Sequence, residues 1–144
     1  MKLPLLFLAL ALVLCGCATG PSAGEEAALK KRFHQVDASG DGKISREEFT
    51  DFMIEEAFAM YDKGGKGYVT LDEYIAGGGT ERGFKSINKS GSGKVTLAEA
   101  KQSQLARHQM AQPFDEADAD TGGTGYVSYQ EFVAFRGKVL DAVR

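Results

Sequence analysis

The sequence predicts an all-α chain built from helix–loop–helix repeats, on three observations. Residues 37–48 set oxygen-bearing side chains at positions 1, 3, 5, 9 and 12 of a 12-residue segment (Asp37, Ser39, Asp41, Ser45 and Glu48), with Gly42 at position 6. The same grammar recurs at Gly42/Ile44, Gly67/Val69, Gly93/Val95 and Gly125/Val127, with a phenylalanine four residues ahead of each segment at Phe33, Phe58, Phe84 and Phe114. A repeat of this kind marks one supersecondary unit used several times. The first three segments start 25 and then 26 residues apart, at Asp37, Asp62 and Asn88. About 13 or 14 residues therefore separate successive loops, room for one helix of three to four turns but not for two helices and a connector.

The loop chemistry points to calcium. Calcium is a hard cation that takes six to eight oxygens, which a 12-residue loop supplies from alternating positions when glycine at 6 allows a sharp turn and a final Glu binds bidentately. In loop 1 (37–48), Asp37, Ser39 and Asp41 would ligate by side chain and Lys43 by its carbonyl. Ser45 would bind directly or through water, and Glu48 with both oxygens. In these ligands the chain resembles the EF-hand superfamily, over roughly residues 29 to 140. The resemblance implies Ca2+ as cofactor, and short β-bridges between loops through position 8, where Ile44 stands.

The loops differ in what they offer. Loop 2 (62–73) keeps Asp62 and Glu73, but Gly64 supplies no side-chain oxygen at position 3 and Lys66 puts an ammonium at position 5, close to where the ion would be. Weak binding or none is expected there. Loop 3 (88–99) offers Asn88, Ser90, Ser92, the Lys94 carbonyl, Thr96 and Glu99, of which only Glu99 is charged. Since affinity follows ligand charge, loop 3 should be a weak site. Loop 4 has two registers: a 12-residue frame starting at Asp120, or a 14-residue frame from Asp118 to Glu131 with two extra residues near Thr121-Gly122-Gly123. The longer frame is preferred, because it keeps the phenylalanine spacing and all three carboxylates, Asp118, Asp120 and Glu131, with Thr124 and Tyr126 completing the set.

Arg46 to Tyr61 reads as one helix that leaves loop 1 and enters loop 2. Its stripe of Phe49, Phe52, Met53, Ala57 and Met60 steps by three and four residues, as a core-facing helix should. Gly77-Gly78-Gly79 must break the next helix. Residues 98 to 112 are expected to be helical, with Pro113 ending or kinking that helix. Tyr129, Phe132, Val133 and Leu140 should bury the last one.

The N-terminus carries a further address. Met1-Lys2 precede an apolar run from Leu3 to Leu14, too short to span a bilayer and typical of a secretion signal. Leu14-Cys15-Gly16-Cys17 then resembles the lipobox of bacterial lipoproteins, which implies a signal peptide at 1–16, a lipid on Cys17 and a tether at 17–28 ahead of a domain at 29–144. Bacterial EF-hand lipoproteins are the group resembled, and the bacterial cell envelope the expected location. No other cysteine remains to form a disulfide, so metal is the natural cross-link of such a domain.

Removing residues 1–16 deletes one lysine and moves the formal net charge from −3 to −4. No basic stripe addresses nucleic acid. His34 and His108 are the only histidines and have no partner constellation for general base catalysis, so no enzyme activity is expected. Two functions fit. One is a calcium-responsive adaptor or sensor on a membrane, offering a surface to an envelope protein. The other is a lipid-anchored domain in which calcium only stabilises the fold.

Overall fold

A computed structural model describes residues 22–119 and 122–142, with side chains of the last helix to residue 138. The proposed signal peptide, Cys17, the tether up to residue 21 and Asp120 lie outside the described residues, as does the Leu140 side chain. The order is α1 (Ala23–Val36), β1 (Ile44–Ser45), α2 (Arg46–Tyr61), β2 (Tyr68–Thr70), α3 (Leu71–Ala76), α4 (Glu81–Ile87), β3 (Lys94–Thr96), α5 (Leu97–Gln102), α6 (Gln104–Asp118), β4 (Tyr126–Val127) and α7 (Tyr129–Ala142). This is the mostly α architecture with short β-bridges that the repeat grammar predicts.

Local chemistry sets each boundary. The helices entering loops 1, 2 and 3 close on their phenylalanines: the N–H groups of Asp37, Asp62 and Asn88 donate to the carbonyls of Phe33, Phe58 and Phe84 at 2.9, 2.8 and 2.8 Å. The spacing of four between Phe and loop start is thus the last i→i−4 bond of a helix. Each exiting helix starts on a capping box, in which a Ser or Thr side chain and a Glu three residues on satisfy each other's backbone N–H. The pairs are Ser45/Glu48, Thr70/Glu73 and Thr96/Glu99, and Ser128 and Glu131 make the same two bonds.

The loops pair in a nested order. β1 lies antiparallel to β4 with Ile44 opposite Val127, and β2 lies antiparallel to β3 with Val69 opposite Val95. A helix of 16 residues is about 24 Å long at 1.5 Å per residue, so α2 holds loops 1 and 2 at opposite ends and they cannot bridge. Loop 1 turns to loop 4 instead. Across each bridge a lysine ammonium stands over a tyrosine ring, Lys43 over Tyr126 and Lys94 over Tyr68, both at 4.2 Å.

Two cores result. Phe33, Ile44, Phe49, Phe52, Phe114, Val127, Phe132 and Phe135 build the lobe of loops 1 and 4. Ile54, Val69, Phe84, Ile87, Val95 and Ala100 build that of loops 2 and 3, with Phe58, Tyr61, Tyr74 and Met110 packed against it. Helices α2 and α6 serve both. This explains why the α2 stripe is only partly correct. Phe49 and Phe52 face one core and Ile54 the other, while Met60 is 74 % exposed.

Two further expectations are corrected. Between loops 2 and 3 the chain fits two short helices, α3 and α4, rather than one, because α3 starts inside the loop numbering and Gly77–Gly79 turn the chain within three residues. Gly78 has φ +92, and a Cβ on Gly77 would stand 2.2 Å from the Tyr61 ring. The segment 98–112 is also two helices. Ser103, 2 % exposed, ends α5 and caps α6 by accepting from the Ala106 N–H. Helix α6 then runs through Pro113 to Asp118, its far half held by the buried Phe114 and Ala117. Packing of those residues outweighs the one lost hydrogen bond that proline imposes.

Candidate calcium loops

Loop 1 is folded around Asp37, which is 5 % exposed at the end of α1. Its Oδ1 accepts from the Gly40 and Asp41 N–H groups at 2.8 and 3.2 Å and from the Ser39 hydroxyl at 3.1 Å, and its Oδ2 accepts from the Gly42 N–H at 2.9 Å. Gly42 adopts φ +81, a left-handed conformation that glycine takes without steric cost. Glu48 closes the loop from the other side. Its Oε1 accepts from the Ser39 N–H at 2.9 Å, and its Oε2 from the N–H and hydroxyl of Ser45, each at 2.9 Å. Asp41 accepts from the Lys43 N–H at 2.9 Å. Ser45 is therefore a helix cap as well as a candidate ligand.

Loop 4 repeats this frame two residues longer. Asp118 Oδ2 accepts from the Gly125 N–H at 2.9 Å, as Asp37 does from Gly42, and Oδ1 accepts from the N–H and hydroxyl of Thr124 at 2.8 and 2.9 Å. The Thr124 hydroxyl also reaches the Tyr126 carbonyl at 2.9 Å, and Glu131 is 2 % exposed at the start of α7. Asp118, Thr124, Tyr126 and Glu131 thus share one loop. Loop 3 has a parallel arrangement with fewer charges: the Ser90 N–H and hydroxyl donate to Glu99 at 3.0 and 2.7 Å, Ser90 also reaches Asn88, and the Ser92 hydroxyl bonds the Lys94 carbonyl at 2.9 Å.

Loop 2 is different. The Lys66 ammonium contacts Asp62 Oδ1 at 2.9 Å, Glu73 Oε1 at 2.6 Å and the Lys63 carbonyl at 2.7 Å. The two acids are the loop's first and last residues, and a lysine bonds both.

Donor pressure shows in the titration of these groups. Burial opposes the charge on Asp37, Glu48 and Asp118, but the N–H and hydroxyl groups around each outweigh it and hold the carboxyls below the usual range. The Thr96 N–H and the Ser90 hydroxyl and N–H bring Glu99 to about 2 from 4.5. At Glu73 the Lys66 ammonium is the leading cause, again to about 2, and the same ammonium holds Asp62 low. Carboxyls depressed on folding contribute stability above their unfolded pKa and lose it as pH falls through the folded one. Calcium-free protein should accordingly hold its stability down to about pH 4.5 and lose it progressively towards pH 2. Thermal melts in chelator across that range check this; a melting temperature flat from pH 5 to 2.5 would contradict it.

The donor sets suit calcium. Among the described residues no three His, Cys, Asp or Glu side chains converge as a group that could hold a metal ion, so Asp37, Asp41 and Glu48 of loop 1 are not drawn together as a ready-made carboxylate cluster. Loops 1, 3 and 4 instead mix carboxylates with hydroxyls and carbonyls, the all-oxygen set of a hard cation. Ser128 is not among the loop 4 ligands expected from the sequence, yet with Gly125 at position 6 it falls at position 9, as Ser45 does in loop 1, and it heads the S/T-x-x-E cap of α7. His34 and His108 are both exposed.

A family model of the EF hand matches residues 29–53. Calcineurin B of Naegleria gruberi, a protein named as a subunit, is 28 % identical over 131 residues, covering 72 % of this chain and 74 % of that protein. Troponin C isoform 1 of Drosophila melanogaster is 31 % identical over 100 residues, and a Blattella germanica troponin C isoallergen 31 % over 96. The chain covers 65 % and 64 % of those two, just under two thirds of their length.

Proposed function

We propose that this calcium-binding chain of the EF-hand superfamily is a calcium-responsive adaptor, in which loops 1 and 4 take the ion and α6 carries the response to the second lobe. Asp37, Ser39, Asp41, Lys43, Ser45 and Glu48 would hold calcium in loop 1; Asp118, Asp120, Thr124, Tyr126 and Glu131 would hold it in loop 4. Loop 3, with a single carboxylate, would bind more weakly through Asn88, Ser90, Ser92, Lys94 and Glu99.

The observation that carries this reading is the double use of α6. Its last residue, Asp118, opens loop 4, while Ala106 and Met110 in its first half cover an apolar cavity of about 80 Å³ walled by Ile54, Phe58, Val69 and Tyr74. Loop 1 reaches the same helix: Arg46, the first residue of α2, stands 4.3 Å from the Phe114 ring centre and pairs with Asp115 at 2.5 Å. An ion that re-aims α6 would change how much of that cavity is covered. A partner's apolar segment could then enter, consistent with a relative whose name marks it as one part of a complex. A calcium titration of the full chain with a hydrophobic dye tests this. Dye fluorescence should rise with calcium; a rise in melting temperature with constant fluorescence would favour the purely structural role.

We further propose an envelope location through lipid on Cys17, supported by the apolar run and lipobox-like Leu14-Cys15-Gly16-Cys17. Among the described residues no helix is long and apolar enough to cross a membrane, and an acyl anchor needs none. Cys17→Ala should abolish detergent partitioning, Cys15→Ala should leave it intact, and chelator should not release the protein; release by chelator would contradict the anchor. Extracellular calcium modules bind at about 10⁻⁴ to 10⁻³ M, so stabilisation should appear at millimolar calcium.

A further inference from the structure

Loop 2 contains its own cation. An ammonium has three donors and no acceptor, and each Lys66 donor has an acceptor: Asp62 at position 1, Glu73 at position 12 and the Lys63 carbonyl, at 2.9, 2.6 and 2.7 Å. The remaining carboxylate oxygens are also occupied. Asp62 Oδ2 accepts from the Gly67 N–H at 2.7 Å, and Glu73 Oε2 from the N–H and hydroxyl of Thr70 at 2.9 and 3.0 Å. Gly67 has φ +81, the same value as Gly42 in loop 1, so the two loops turn alike.

We propose that the Lys66 ammonium takes the place of the divalent ion in loop 2, keeping that loop closed at every calcium concentration and making β2 a constant template for β3 of loop 3. A monovalent cation on a covalent stem bridges the first and last acids of the loop, the two ends that calcium joins in an ion-binding loop. Because the stem makes this contact intramolecular, it needs no calcium from solution. Val69 opposite Val95, with Lys94 stacked on Tyr68, passes the fixed geometry to loop 3. Loop 2 and the β2–β3 bridge are then the constant part of their lobe, and α6 over the cavity is the part of it that can move. The closure of loop 2 does not depend on loops 1 and 4 acting as a sensor.

Two measurements on the full chain test it. Reductive methylation followed by mass spectrometry should modify Lys66 at least tenfold more slowly than Lys85, whose side chain is 72 % exposed, in chelator and in millimolar calcium alike. Labelling of Lys66 as fast as Lys85, or loss of its protection when calcium is added, would overturn the proposal. In the second arm, Lys66→Asp frees both acids and adds an oxygen at position 5, so calorimetry should show one additional calcium bound per chain. A folded Lys66→Asp protein with unchanged stoichiometry would also overturn it; if that variant does not fold, the labelling experiment alone decides.

Discussion

Glu48→Gln is expected to weaken the tightest calcium-binding phase by more than tenfold, about 1.4 kcal/mol. The substitution removes the charge and the bidentate grip of position 12. The amide's one oxygen can still accept at the Ser45 cap, where a capping box takes Glu or Gln, so the start of α2 should survive, but its NH2 then faces the Ser39 N–H that Glu48 Oε1 accepts from. The expected signature is therefore a large loss of affinity in calorimetry with a smaller fall in melting temperature in chelator. An unchanged tight phase would place the primary site elsewhere, and an equal fall in both quantities would assign Glu48 to folding rather than to the ion.

Phe49→Ala should have the largest effect on stability, about 3–5 kcal/mol for a buried phenylalanine. The Phe49 ring is fully buried, with ring centres of Phe135, Phe114 and Phe52 at 5.2, 5.8 and 6.0 Å. It joins α2, α6 and α7 under the bridge of loops 1 and 4. Urea unfolding in chelator measures the cost directly. Met60→Ala on the same helix should stay within roughly 0.5 kcal/mol, as exposed substitutions usually do. Equal costs at the two positions would contradict the division of α2 between two cores.

The loops and α2 are legible in the sequence because their signals are local. Asp37 at position 1, Gly42 at 6 and Glu48 at 12 act within one loop, and the phenylalanine spacing is one helical hydrogen bond. The length of α2 is consistent with the nested pairing, since a straight helix of that length separates loops 1 and 2, although only the assembled β1–β4 and β2–β3 bridges display it. Other features depend on which core each face meets. Met60 sits on the helical stripe of Phe49 and Phe52 yet is exposed, because the helix's other apolar face, with Ile54, turns to a second core. Pro113 remains helical because Phe114 and Ala117 are buried beyond it, which no local propensity reports. Lys66 reads in sequence as a charge that spoils its site; its position in the fold shows a side chain long enough to reach both ends of its own loop.

Hydrogen exchange of the full chain across a calcium titration tests the coupling through α6 most directly. Calcium should slow exchange in loops 1 and 4 and in the β1–β4 bridge, while exchange in the α6 segment over the cavity, residues 104–110, becomes faster. Loop 2 should not respond. Uniform slowing that includes residues 104–110 would contradict the account and leave calcium as a structural ion alone.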